Sequence, residues 1–173
     1  MAGKKKKDQE NFLISAFKSA ISIEKKGIDF YSRAIRKVRD PNGKAVLEFL
    51  VSEEKRHLQF FETLARRHAP AVLRRQVKIL KRPRIFPKPI EYHKRHEVAM
   101  DMKIMEEAIK TEKKSIALYE SYKRELKGRE LRSALQLIID EEKQHLNWFE
   151  FARGDAKLHS YWAELEEHFS IQG

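Results

Sequence analysis

The sequence predicts an all-α domain, a four-helix bundle with one long crossover and a short C-terminal helix. Three observations predict it. Apolar residues recur at steps of three and four along four long stretches. The 5 prolines fall at the borders of those stretches or between them. The first pair of stretches is repeated in the second pair. At 173 residues the chain has the length of one ordinary domain with a substantial core.

The first helix is expected near residues 10–39, where Phe17, Ile21, Glu24, Ile28 and Tyr31 share a face. Residues 1–9 precede it and carry Lys4 to Lys7; they read as a disordered, solubilising basic arm. Asp40 offers an N-cap and Pro41 a first helical residue, so a second helix is expected over 41–69. Its inner face is Leu47, Leu50, Glu54, His57 and Phe61. Pro70, Pro83, Pro87 and Pro89 punctuate a basic crossover over 70–92, with a helical turn or two expected within 71–81. The third helix, near 93–127, lines up Met105, Ala108, Glu112, Ile116 and Tyr119, and Gly128 can close it in a left-handed conformation. The fourth, near 129–153, lines up Leu131, Leu135, Ile138, Glu142, His145 and Phe149 and ends at Gly154. A short fifth helix is expected over Asp155 to Phe169. Two tight hairpins joined by one long connection let the second and third helices run parallel.

The repeat is direct. Shifting the chain by 88 residues lays Phe17–Leu64 on Met105–Ala152 without a gap, with 16 of 48 pairs identical. Glu24-Lys25-Lys26 meets Glu112-Lys113-Lys114, Tyr31 meets Tyr119, Glu53-Glu54-Lys55 meets Glu141-Glu142-Lys143, and His57 meets His145. This is the pattern of a duplicated two-helix unit; a single repetition is too few for a solenoid.

Four carboxylates lie in the apolar stripes: Glu24, Glu54, Glu112 and Glu142. Burying one unpaired carboxylate costs several kcal/mol, and no lysine or arginine shares those stripes. Two divalent cations would neutralise all four, which points to a di-metal site. His57 follows Glu54 by three residues and His145 follows Glu142 by three, a spacing that puts each pair on one helix face.

This ligand set resembles that of the ferritin-like di-iron carboxylate proteins, and within them the rubrerythrin and bacterioferritin branches. The resemblance covers about residues 10–153 and implies a ferritin-like bundle holding two iron ions, with manganese or zinc as other occupants. It implies that Glu54 and Glu142 bridge the metals, that Glu24 and His57 complete one shell, and that Glu112 and His145 complete the other. Tyr31 and Tyr119 would hydrogen-bond a ligand carboxylate of the opposite half. Glu53 and Glu141 would hold the second nitrogen of the opposite histidine. The chain departs from rubrerythrins at Ser115, where they carry a further Glu, and in lacking a rubredoxin-like tail. Lys55 and Lys143 stand where bacterioferritins place a haem-ligating Met, so no haem is implied.

The implied activity is reduction of hydrogen peroxide or dioxygen with an external electron-donor protein; the alternative is ferroxidase activity feeding an iron store. The absence of cysteine rules out disulfides, zinc ribbons, iron–sulfur centres and a rubredoxin-type iron within these residues. There is no Gly-rich phosphate loop and no nucleophile elbow. No apolar run reaches the ~18 residues of a membrane helix and no secretory leader is evident, so a cytoplasmic protein is expected. The net charge of +11 reads as solubility, with binding of a polyanion such as nucleic acid as the minority alternative. A homodimer is the default assembly. Trp148, Trp162, Met100, Met102 and Met105 read as packing, and His68, His93, His96, His159 and His168 as surface or structural residues.

Overall fold

The computed structural model describes residues 2–38, 41–70 and 97–154. Among them are four helices: α1 (Ala2–Ile35), α2 (Pro41–His68), α3 (Glu97–Glu125) and α4 (Arg129–Gly154). At 1.5 Å per residue each spans roughly 40–50 Å. The crossover from residue 71 on and the expected fifth helix lie outside the described residues.

The largest departures from expectation are at the two ends of α1. Helix α1 begins at Ala2, so the stretch read as a disordered arm is helical from there on. Lysine, glutamine and glutamate are good helix formers, and nothing between Lys4 and Phe12 breaks the helix. Helix α1 also stops at Ile35, with the Lys37 and Val38 amides both donating to the Ala34 carbonyl at 2.8 and 3.0 Å. Elsewhere the end signals act as their chemistry dictates. Helix α2 opens on Pro41, whose missing N–H costs nothing at a first helical position. Gly128 adopts φ 97° and its carbonyl accepts the Arg132 amide at 3.4 Å, so one glycine turns the chain from α3 into α4. Arg66, Arg67 and His68 close α2, and Lys123 and Arg124 close α3, complementing the helix dipoles.

Helix α1 packs chiefly on α2, and α3 on α4. The core has two apolar parts. One holds Ile14, Phe17, Ile23, Phe61, Ala65, Ile116, Tyr119, Leu131, Leu135 and Ile139. The other holds Tyr31, Val38, Leu47, Leu50, Ile104, Met105, Ile109 and Phe149. Along every helix the predicted ligands lie between these two parts: Glu24 between Ile23 and Tyr31, Glu54 and His57 between Leu50 and Phe61, Glu112 between Ile109 and Ile116, Glu142 and His145 between Ile139 and Phe149. The same order gives the helix directions. Helices α2 and α3 both run from the second part to the first, so they are parallel, while α1 and α4 run the other way. This is the one-crossover, ferritin-like bundle. Among the described residues, no helix is long and apolar enough to cross a membrane.

Candidate metal centre

All six predicted ligands are buried in the layer between the two apolar parts. Glu24 and His57 are 0 % exposed, Glu54 is 5 %, Glu112 and His145 are 1 % and Glu142 is 2 %. They reach that layer because each helix contributes them from its inner stripe, one turn from apolar residues that anchor the backbone.

Ligand atoms converge in two triads, each with its atoms within 4.8 Å of one another: Glu24, His57 and Glu142 in one, Glu112, Glu142 and His145 in the other. Glu142 belongs to both. Its carboxylate lies 3.3 Å from His57 Nδ1 and 3.5 Å from His145 Nδ1. His57 Nδ1 is also 3.8 Å from Glu24 Oε2. The two imidazoles stack, with centroids 5.9 Å apart and planes 22° from parallel. Glu54 is in neither triad.

Whether these residues suit cations can be judged from their unpaired atoms. Glu24 Oε2, Glu142 Oε2, His57 Nδ1 and His145 Nδ1 are buried and have no hydrogen-bond partner. Leaving such atoms unsatisfied is costly, and native cores seldom do so without a reason. Here all four are lone-pair donors directed into the two triads, and four carboxylates balance two dications. The donor set therefore fits two divalent metals of the oxygen-and-imidazole type.

The remaining atoms of the layer are held by cross-bundle hydrogen bonds. The Tyr31 hydroxyl donates to Glu112 Oε1 and the Tyr119 hydroxyl to Glu24 Oε1, each reaching a carboxylate of the other half. Burial, reinforced by the carboxylates around them, holds both phenols well above the usual range, so they remain protonated donors. His57 Nε2 lies 2.9 Å from Glu141 Oε2. With Nε2 donating to that carboxylate, the Nδ1 lone pair is left for the triad.

Glu53, the repeat partner of Glu141, is engaged differently. Arg56 donates to its two oxygens at 3.2 and 2.5 Å, and reaches Glu141 at 3.1 Å as well. Among the described residues Glu53 is thus bonded by Arg56 and not by His145. The physical reason is local: Arg56 stands one turn along α2 from Glu53, whereas the repeat puts Gln144 at the matching place on α4.

Charge in the layer is balanced by shifted protonation. Burial, then the neighbouring Glu24, pushes Glu54 well above the carboxylate range. Burial, then Glu142, does the same to Glu112. Glu142 goes the other way: burial alone would raise it, but the imidazoles of His145 and His57 beside it hold it well below. With no cation present, burial opposes a charge on His57, yet the bond to Glu141 and the nearby carboxylates of Glu142 and Glu24 prevail and push it up to about 12, a proton on Nδ1 that a bound cation would displace. Glu141, bonded by His57 and Arg56, is held down to about 2.

Two features of this layer were not singled out from the sequence. One is Arg56. The other is Gly27, over which the Glu54 carboxylate lies: a Cβ at residue 27 would stand 2.6 Å from Glu54 Cδ. The signal for both was in the repeat, where Gly27 meets Ser115 and Arg56 meets Gln144 amid identical neighbours.

Comparison with known proteins gives one match among family models: Rubrerythrin, over residues 15–152. No curated protein and no solved structure gives a match. The matched span covers most of the chain and every residue of the buried layer. The chain belongs to the rubrerythrin family, and residues 15–152 are its ferritin-like di-iron carboxylate domain.

Proposed function

We propose that this protein is a di-iron oxidoreductase that reduces hydrogen peroxide or dioxygen with electrons from a separate donor. The observation that carries this reading is the pair of triads sharing Glu142 inside a buried layer, with four unpaired donor atoms directed into them. Glu24 and His57 would hold one iron and Glu112 and His145 the other, with Glu142 and Glu54 available to both; such a pair, when bound and ferrous, would supply the two electrons that reduce one small oxidant.

The chain's own residues do the rest. The apolar parts above and below the layer exclude bulk water, which strengthens every electrostatic contact inside. Tyr31 and Tyr119 fix Glu112 and Glu24 through their Oε1 atoms, leaving the second oxygen of each for a metal. Glu141 sets the tautomer and orientation of His57. These 173 residues hold no cysteine, so no thiolate-bound iron within them supplies the electrons.

The test is anaerobic loading with Fe(II), elemental analysis, then addition of one equivalent of peroxide. The expected result is about two irons per chain, a near-ultraviolet ferric absorption appearing at once, and peroxide consumed in proportion to iron. Two bound metals without any ferric band would sink the redox reading. Fewer than about two metals after loading would sink the di-metal reading itself.

A further inference from the structure

Glu54 is held unlike the other carboxylates of the layer. Its repeat partner Glu142 sits in both triads, close to both His57 and His145. Glu54 sits in neither, and its carboxylate rests against the backbone of α1 at Gly27. A Cβ at residue 27 would be 2.6 Å from Glu54 Cδ and 2.7 Å from each carboxylate oxygen. Non-bonded carbons prefer about 3.5–4.0 Å, so the carboxylate's place exists only because residue 27 has no side chain.

Glycine is a poor choice for this position on helical grounds alone. Gly27 lies well inside α1, where almost any other residue would favour the helix more. Nor does its backbone need glycine: among the described residues positive φ occurs at Gly128 and not at Gly27. At the matching place on α3 the chain carries Ser115, which is buried at 3 % exposure. One half therefore offers a recess beside its ligand and the other fills the position with a side chain.

We infer that Gly27 is a positioning residue for the metal centre: its missing Cβ forms a slot that lets the Glu54 carboxylate stand beside the two triads, making Glu54 the movable ligand and Glu142 the fixed one. The inference rests on the di-metal reading for the word ligand, but the slot itself does not. Filling the slot moves the far end of a flexible side chain and not the backbone. The displaced carboxyl group then has to be taken up among Glu24, Glu112 and Glu142, a crowding of acids that bound cations would relieve.

The experiment is Gly27→Ala in the full chain, melted after treatment with a chelator and again with Mn(II). An ordinary glycine-to-alanine change inside a helix raises Tm. Here the chelator-treated variant is expected to melt lower than wild type, by about 2–4 °C or more. A rise overturns the slot. The double variant Gly27→Ala/Glu54→Ala separates the clash from any other fault: alanine at 27 should cost nothing once Glu54 is truncated, and an undiminished cost overturns the inference. If Gly27→Ala alone does not fold, recovery of folding in the double variant carries the same support, and failure to recover the same refutation. Mn(II) should raise Tm more in Gly27→Ala than in wild type, because the carboxylate is already turned toward the metals; an equal or smaller rise overturns the movable-ligand assignment. A wild type that gains no stability from Mn(II) or Fe(II) overturns the metal reading instead, while the chelator-treated melts still decide the slot.

Discussion

The two halves of the molecule, α1–α2 and α3–α4, share their ligands and differ in what surrounds them. Glu24, Glu54, His57 and Tyr31 recur as Glu112, Glu142, His145 and Tyr119. Around them Gly27 faces Ser115 across the repeat and Arg56 faces Gln144. The consequences are visible in the layer. Glu142 joins both triads while Glu54 stands aside, and Glu141 holds His57 while Glu53 is drawn to Arg56. Two positions with the same donor types thus become inequivalent through a missing Cβ and one added cation, neither of which changes a ligand.

The largest expected effect comes from removing each bridging candidate in turn. Glu142→Ala should abolish binding at both positions, because both triads lose a member. Glu54→Ala should leave at least one metal bound. Elemental analysis after Fe(II) or Mn(II) loading and desalting checks this, and the opposite ranking would invert the comparison.

A smaller effect is expected one step out from the metals. Glu141→Gln should weaken metal binding about 10–100-fold, since it loosens His57. Glu53→Gln should change affinity only a few-fold, because its partner is a half-exposed arginine and surface ion pairs contribute about 0–1 kcal/mol. Competition with a chromophoric chelator measures both. Equal losses would mean that the two histidines are supported alike.

The smallest effect is in pH dependence. Glu54 and Glu112 are raised, so their contribution to chelator-treated stability is fully present below the ordinary value of 4.5 and is lost as pH rises through their folded-state values. His57 acts in the same direction, from 6.5 toward about 12. Glu141 acts oppositely: its contribution is present above 4.5 and lost as pH falls toward about 2. From neutral into alkaline buffer, Tm of the chelator-treated protein should decline by a few degrees, and metal loading should flatten that decline. Loading should also release protons, read with an indicator dye in weak buffer. A decline that is the same with and without metal would place the titrating groups elsewhere.

Much of this was legible in the sequence, for a definite reason. A buried carboxylate in an apolar stripe is such an expensive anomaly that Glu24, Glu54, Glu112 and Glu142 announce themselves, and helical spacing brings His57 and His145 to the same face. The bundle followed from the same periodicity and from one long connection between two short ones. What sequence could not give is the state of each side chain within its layer. Nothing in the spacing tells that Glu54 leans on Gly27, because that depends on a rotamer and on the distance between α1 and α2. Nothing in it tells that Arg56 captures Glu53, since a helix-surface arginine has several acids within reach. The start of α1 was misplaced because charge runs read as solvated arms, whereas lysine and glutamine also sustain a helix that is already nucleated by its packed end.

The crossed tyrosines carry one more consequence. Tyr31 satisfies Glu112, and Tyr119 satisfies Glu24, so the hydroxyl that tethers each of these acids comes from the other hairpin. Each half is complete only when the other is docked on it, as in a two-fold pair of identical hairpins. Such a pair would be bound by its symmetry to carry the same residue at both equivalent sites, two glycines or two serines, two arginines or two glutamines. Joining the hairpins in one polypeptide lifts that bond. A single substitution then alters one side of the centre and not the other, and a pair of like sites can acquire a direction.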